Sequence, residues 1–266
     1  MIISASRRTD IPAFFGKWFI DSIKKGIIEV KNPYNVNIKK TVSLLPYDVD
    51  CIVFWTKNAI PFMKYLPVID DLGYNYYFLY TITAYNNDIE KNLPAKELII
   101  NNFKNLSQNI GNNKLIWRYD PVFFTDVYNG DFHLNQFENL SKQLNDYSNT
   151  CITSFLTSYR KCKTKMKNLN IIEKSNIEKA NFLKKMIDIA NKYNFKLQTC
   201  AIDNSINDIV KIAGKCIDNI IINNITGKNF AYQKDKTQRT TCLCHKSIDI
   251  GEYRTCKYDC IYCYAK

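Results

Sequence analysis

The stretch Cys51-Ile52-Val53-Phe54-Trp55, followed by Ala59 to Tyr65 and then by the run from Tyr76 to Thr83, reads as strand, helix, strand. The outer runs are rich in β-branched and aromatic residues, and the segment between them has helical spacing, which is the mark of a βα unit in a parallel sheet. The pattern recurs outward in both directions. Further strands are predicted at Ile2 to Ala5, Leu115 to Arg118, Cys151 to Phe155 and Lys196 to Cys200. Further helices are predicted at Gly16 to Lys25, Ala95 to Ile110, His133 to Asp146 and Ile177 to Asn194. In the last of these, Ile177, Ala180, Phe182, Met186, Ile187 and Ala190 are spaced to share a face. Six strands with intervening helices predict an α/β fold, a partial (βα)6 barrel of the TIM-like type. A turn around Asn32-Pro33-Tyr34-Asn35 predicts an added strand pair, Ile27 to Val30 with Thr41 to Leu44, that decorates the barrel.

A chain of 266 residues, 46% hydrophobic, can bury one large core. Residues 1–204 are read as the barrel. After residue 204 the alternation weakens and cysteines take over, so residues 205–266 are read as a Cys-rich metal-binding tail packed on the barrel in one structural unit. No apolar run approaches the roughly 20 residues of a membrane span, and the opening residues do not resemble a secretion signal. A cytoplasmic protein with no membrane partner is expected. The net charge of +12 admits a polyanion partner, but the lysines are scattered rather than clustered. The densest basic run, Tyr159-Arg160-Lys161-Cys162-Lys163-Thr164-Lys165, is short and reads as the exposed start of a helix. Nucleic acid is therefore not favoured.

Five of the ten cysteines fall between Cys242 and Cys263, a crowding that in a reducing compartment points to metal before disulfides. With only His133 and His245 present, histidine-based acid–base chemistry has little material. The terminal string Cys256-Lys257-Tyr258-Asp259-Cys260-Ile261-Tyr262-Cys263 has C-x3-C-x2-C spacing. Three thiolates on so short a loop can hold three irons of a [4Fe–4S] cubane and leave the fourth without a protein ligand. The amino and carboxylate groups of S-adenosylmethionine can chelate that iron, so that an electron from the reduced cluster breaks a carbon–sulfur bond and releases a 5′-deoxyadenosyl radical.

At these residues the chain resembles the radical S-adenosylmethionine superfamily, and the resemblance implies that Tyr262 lies against the adenine. The whole chain is similar to an uncharacterised family of domain-of-unknown-function proteins with such a motif at the C-terminus. That similarity runs through Ile3-Ser4-Ala5-Ser6-Arg7-Arg8-Thr9-Asp10-Ile11-Pro12, Cys51 to Asn58, Ile116-Trp117-Arg118-Tyr119-Asp120-Pro121 and Ser247-Ile248-Asp249-Ile250-Gly251. In the superfamily at large the cluster loop follows the first barrel strand, whereas here it ends the chain.

Structural zinc is the competing reading of the terminal cysteines, with ligands drawn from Cys242, Cys244, Cys256, Cys260, Cys263 and His245. A triplet plus a C-x-C pair does not divide into two zinc knuckles, which favours iron–sulfur ligation. Subtracting the triplet leaves Cys200, Cys216, Cys242 and Cys244, enough soft ligands for a second centre, either an iron–sulfur cluster or zinc. Resemblance to the family implies cysteines at all four positions. The alternative is that Cys200 and Cys216 are small buried hydrophobes, as Cys51, Cys151 and Cys162 are read to be.

Polar residues after the predicted strands become candidates by position, since barrel function gathers at the C-terminal strand ends. Ser6, Arg7, Thr81, Thr83, Arg118 and Asp120 are assigned to cofactor binding with Tyr262, and Arg8, Asp10 and Lys57 to substrate. Thr9, Thr56, Asn58, Tyr119, Ser154, Thr157 and Ser158 occupy similar places. The basic groups suit the carboxylate of S-adenosylmethionine and an anionic or small-molecule substrate, unless Arg7 or Arg8 pairs with Asp10 and Arg118 with Asp120. The leading expectation is a radical enzyme supplied with electrons by a donor such as flavodoxin or ferredoxin. A non-catalytic iron–sulfur or zinc protein is the first alternative. A nucleic-acid repair or modification enzyme resembling the photoproduct lyases, whose motif also ends Tyr-Cys-Tyr, is the second. No phosphate-binding glycine loop is present, and the sequence names no substrate.

Overall fold

The computed structural model describes every residue except Tyr34, Val36, Ser158 and Lys266, and the side chains of all the rest but Arg160, Lys161 and Lys163. In chain order the elements are β1 (Ile2–Ala5), α1 (Ile11–Phe14), α2 (Gly16–Lys25), β2 (Ile27–Lys31), β3 (Lys39–Ser43), β4 (Cys51–Thr56), a 3-10 helix (Ile60–Tyr65), α3 (Leu66–Asp71), β5 (Tyr76–Thr81), α4 (Lys96–Ile110), β6 (Leu115–Val122), α5 (Gly130–Leu144), β7 (Thr150–Phe155), α6 (Arg160–Met166), α7 (Asn176–Lys192), β8 (Lys196–Cys200), α8 (Asn204–Val210), β9 (Ala213–Gly214), α9 (Asn219–Thr226) and β10 (Ile248–Asp249).

Eight strands form one sheet in the order β10-β1-β4-β5-β6-β7-β8-β9, and all neighbouring pairs are parallel. The sheet does not close, because β10 and β9 each pair on one side only. The six expected strands are its centre, adjacent in space in the order they occur in sequence, as short crossovers through helices require. The hairpin of β2 and β3 is a separate antiparallel pair; the Tyr34 of its expected turn lies outside the described residues.

Period-two alternation divides the central strands between two cores. Ile52, Phe54, Tyr76, Phe78, Tyr80, Leu115, Trp117 and Tyr119 face the layer of Phe19, Phe62, Phe103, Phe137 and Met186, the last five carried by α2, the 3-10 helix, α4, α5 and α7. Cys51, Val53, Tyr77, Leu79, Ile116 and Ile152 face the other way, where Cys200, Cys216, Ile217, Ile222, Cys242 and Cys244 cover them. Burial on both faces explains why these strands read as nearly continuous apolar runs. Within α7, Ile177 is exposed and Leu183 takes its place in the core.

Several expectations are corrected. The alternation expected to weaken after residue 204 continues in short elements. Asp203 and Asp218 cap α8 and α9 through side-chain oxygens, and β9 and β10 extend the sheet at both edges. The segment from Ala59 to Tyr65 is a 3-10 helix from Ile60, followed by α3 beginning at Leu66, each with a proline in its first turn. Strand β5 stops at Thr81, leaving Thr83 beyond it, whereas β6 runs on past Arg118 to Val122. None of the described helices is long and apolar enough to cross a membrane.

Candidate metal and cofactor cavity

Parallel strands end on the same side of the sheet, so the residues at or just past the ends of β1, β4, β5, β6, β7 and β8 converge. They line a cavity of about 260 Å³. Ser6, Arg7, Arg8, Asp10, Lys57, Thr81, Arg118 and Asp120 reach it from the sheet, and Tyr262 and all seven cysteines outside the core set reach it from the end of β8 and from the tail. Of the residues assigned to cofactor, substrate or metal, Thr83 stands off the wall, as do the positional candidates Asn58 and Tyr119.

The tail is delivered by its pairing with β1. Strand β10 lies beside β1 in the register Ile3↔Ile248 and Ser4↔Asp249. The Asp249 carboxylate accepts from Ser4 Oγ at 3.1 Å, Arg7 N–H at 2.8 Å, Gly251 N–H at 3.1 Å and the Ser6 hydroxyl. Downstream, the loop carrying Cys256, Cys260 and Cys263 packs into an apolar nest that includes Phe14, Tyr85, Ile89, Phe123, Tyr258 and Tyr262. Its backbone is fixed by Asn92 N–H to the Tyr258 carbonyl (3.1 Å), Ile261 N–H to the Ile89 carbonyl (3.0 Å) and Cys263 N–H to the Cys260 carbonyl (3.1 Å). Tyr264 donates to the Arg7 carbonyl at 3.1 Å, which ties the loop to the segment after β1. Cys162, buried, donates from sulfur to the Tyr262 carbonyl at 3.2 Å. Burial pushes the Cys256 thiol up to about 11 and the Cys260 thiol up to about 12, so a metal bound there would have to displace their protons.

Glu90, which the sequence reading missed, anchors this loop. Its side chain is 1% exposed, and it accepts from Lys57 Nζ (2.7 Å), Lys96 Nζ (2.8 Å), Thr83 Oγ1 (2.7 Å) and the hydroxyl of Tyr262. Burial opposes its charge, but Lys57 and then Lys96 outweigh that and hold the carboxyl at about 2. Lys57, whose ammonium also lies 5.6 Å from the Tyr262 ring centre, is therefore committed to Glu90. Thr83 serves the same carboxylate from behind.

Among the described residues Asp10 is not paired with an arginine. It caps α1 by accepting from Ala13 N–H (3.0 Å), and it also accepts from Thr56 Oγ1 (2.8 Å) and Lys57 N–H (2.7 Å). Arg8 turns to the tail instead, with Nη1 3.4 Å from the Gly251 carbonyl and Nε 3.9 Å from Asp249. Arg118 pairs with Asp120 at 2.6 Å, and Ser154 donates to the same carboxylate. The Arg7 and Arg118 guanidinium carbons lie 5.2 and 4.9 Å from the centre of the Trp55 ring. Buried Arg7 Nη2 and Arg118 Nε have no hydrogen-bond partner among the described residues. Arg7 thus has a free buried donor and, among the described residues, no ion pair to a carboxylate; Arg239, also on the wall, donates to the Thr157 hydroxyl and likewise has no carboxylate partner. Ser158 lies outside the described residues.

The other four cysteines also meet. The sulfurs of Cys200, Cys242 and Cys244 all lie within 4.8 Å of one another. Cys216 joins through its backbone N–H, which donates to Cys244 Sγ at 3.3 Å. Hydrogen bonds from Cys200, Cys216 and Cys242 drive the Cys244 thiol far below its ordinary range.

A protein-family model described as "Domain of unknown function (DUF1848)" matches residues 2–265. Neither the curated proteins nor the solved structures contain a match to the chain.

Proposed function

The chain belongs to the DUF1848 family, and on that footing we propose that it is a radical S-adenosylmethionine enzyme whose [4Fe–4S] cluster is held by Cys256, Cys260 and Cys263. The observation that carries this reading is the meeting of that cysteine triplet with Tyr262 and an unpaired arginine on one cavity wall. Three soft donors in an apolar nest suit an iron–sulfur cubane. Chain order separates the loop from β1, yet in space it packs against Arg7 and Phe14, just after that strand. This supports the likeness to enzymes whose cluster loop follows the first strand. Six central strands in sequential order support the partial barrel in the same way.

When bound and reduced by an external donor such as flavodoxin or ferredoxin, the cluster would supply one electron to S-adenosylmethionine, giving methionine and a 5′-deoxyadenosyl radical that takes a hydrogen atom from substrate. The chain's own residues bind and orient. Arg7 Nη2 is the free donor for the methionine carboxylate, and Tyr262, held by Glu90, offers its ring to the adenine. Asp120, fixed by Arg118 and Ser154, is an acceptor for ribose or substrate hydroxyls. The apolar nest keeps water from the cluster.

The test is anaerobic reconstitution with iron and sulfide, reduction with dithionite in the presence of S-adenosylmethionine, and assay of 5′-deoxyadenosine. Release of 5′-deoxyadenosine by wild type and its loss in Cys260→Ala are expected. A reconstituted protein with its full iron content that leaves S-adenosylmethionine intact sinks the proposal.

A further inference from the structure

We propose that Cys200, Cys216, Cys242 and Cys244 bind a single zinc ion in a closed tetrathiolate site, which staples the tail onto the sheet and is separate from the iron–sulfur loop. Sulfur spacing distinguishes this from a second cubane. Four thiolates on one zinc, with bonds near 2.3 Å, form a tetrahedron of edge about 3.8 Å. Four thiolates on the separate irons of a cubane stand roughly 6 Å apart. Cys200, Cys242 and Cys244 lie within 4.8 Å of one another. Cys216 stands at the same cluster, with its backbone N–H 3.3 Å from Cys244 Sγ. Such crowding belongs to one small ion. Among the described residues no other group of three or more such ligands is drawn so tight, and the triplet Cys256, Cys260 and Cys263 is not.

Charge favours the same assignment. The guanidinium groups of Arg7 and Arg118 lie beside Cys216, Cys200 and Cys244 as well as beside Asp249 and Asp120. Zinc with four thiolates, formed as the thiol protons leave to solvent, is a dianion that these neighbouring cations would help to hold in the interior. The N–H of Cys216 at 3.3 Å from Cys244 Sγ is the supporting hydrogen bond that thiolate ligands commonly accept.

The ligands come from the end of β8, the loop after β9 and the segment just before β10. One ion therefore ties three parts of the chain together at the sheet face that α9 and the tail cover. With all four positions filled by cysteine, the site has no opening for substrate and is structural.

The test begins with the full-length Cys256→Ala/Cys260→Ala/Cys263→Ala variant, purified without oxygen and offered zinc, or iron and sulfide. The expected result is one zinc per chain, four sulfur neighbours by X-ray absorption, and no cluster chromophore from iron and sulfide. Cobalt in place of zinc is expected to give the absorption bands of tetrahedral cobalt thiolate. In the otherwise wild-type chain, Cys242→Ser/Cys244→Ser is expected to lose the zinc and melt at lower temperature while keeping about four irons. An iron–sulfur cluster at the quartet, or no metal in either loading, overturns the proposal. These readouts do not involve S-adenosylmethionine, so the zinc site and the proposed reaction can fail separately.

Discussion

The hydroxyl of Tyr262 donates to the carboxylate of Glu90, 172 residues earlier in the chain, and the same carboxylate holds the ammonium groups of Lys57 and Lys96. This group joins the end of β4, the segment before α4 and the terminal cysteine loop. Removing a buried charge that balances two others leaves uncompensated cations, which costs far more than losing a neutral hydrogen bond.

Glu90→Gln is accordingly expected to destabilise the protein by about 3 kcal/mol, against about 1 kcal/mol for Tyr262→Phe. Urea denaturation of the metal-free chain measures both. Lys57→Met in the Glu90→Gln background is expected to recover part of the loss. Equal small effects from Glu90→Gln and Tyr262→Phe would show that the carboxylate does not organise the loop.

Gly251 is expected to be essential to docking of the tail. A Cβ there would stand 2.2 Å from Ser6 Oγ and 2.5 Å from Ser6 Cβ, and Ser6 cannot retreat without releasing Asp249. Gly251→Ala is expected to cost on the order of 2 kcal/mol and to speed amide exchange through β10 and the cysteine loop before the central strands. Unchanged exchange at residues 248–263 would refute it.

The difference between what the sequence discloses and what it conceals follows from the same contacts. The central strands were legible because burial on both faces makes them apolar throughout, as in Tyr76–Thr81. Strands β9 and β10 have two residues each and owe their existence to their neighbours, so no local pattern announces them. The aspartates that cap α8 and α9 were present as signals, but the cysteine content of the tail masked them. The cavity wall was legible because a parallel sheet sends every strand end to one side. Which arginine is free was not, since that depends on Asp249 capturing Arg8 across 241 residues of chain (249 − 8). Glu90 lies among Asn and Lys residues that resemble a solvated loop, and its partners are distant in sequence. The cysteine quartet could be counted, but its sulfur spacing needs three dimensions.

Stability is expected to fall with acid through His133. Its ring is buried between the Tyr119 hydroxyl and the Phe123 carbonyl, each 2.9 Å away, and burial lowers its pKa from 6.5 to about 4. Below pH 6.5 the unfolded chain takes up a proton that the folded one refuses, so stability present above that pH is lost as pH falls towards 4. The full loss is about 3 kcal/mol. Urea titrations at pH 7.5 and 4.5 on wild type and His133→Gln isolate it as the difference between the two pH dependences. Parallel dependences would refute it.

Arg7 and Arg8 are adjacent in sequence and are expected to behave differently towards S-adenosylmethionine. Arg8 is held by the Gly251 carbonyl and Asp249 and lies 5.3 Å from the Tyr253 ring centre. Arg7 rests against Trp55 and feels the charge of Cys244 and Asp249, but its Nη2 donates to nothing described. A buried donor without an acceptor is costly, and a ligand carboxylate that satisfies it gains a charge-assisted hydrogen bond. Arg7→Met is therefore expected to weaken S-adenosylmethionine binding by roughly tenfold or more, or at least about 1.4 kcal/mol. Iron content should not change, because no cysteine of the triplet depends on Arg7. Arg8→Met should alter affinity less and stability more, since it loosens the grip on the tail. Calorimetric titration of the reconstituted, unreduced protein separates the two effects. If Arg8→Met abolishes binding while Arg7→Met leaves it intact, the carboxylate lies on the other side of β1 and the cavity assignment for Arg7 is wrong.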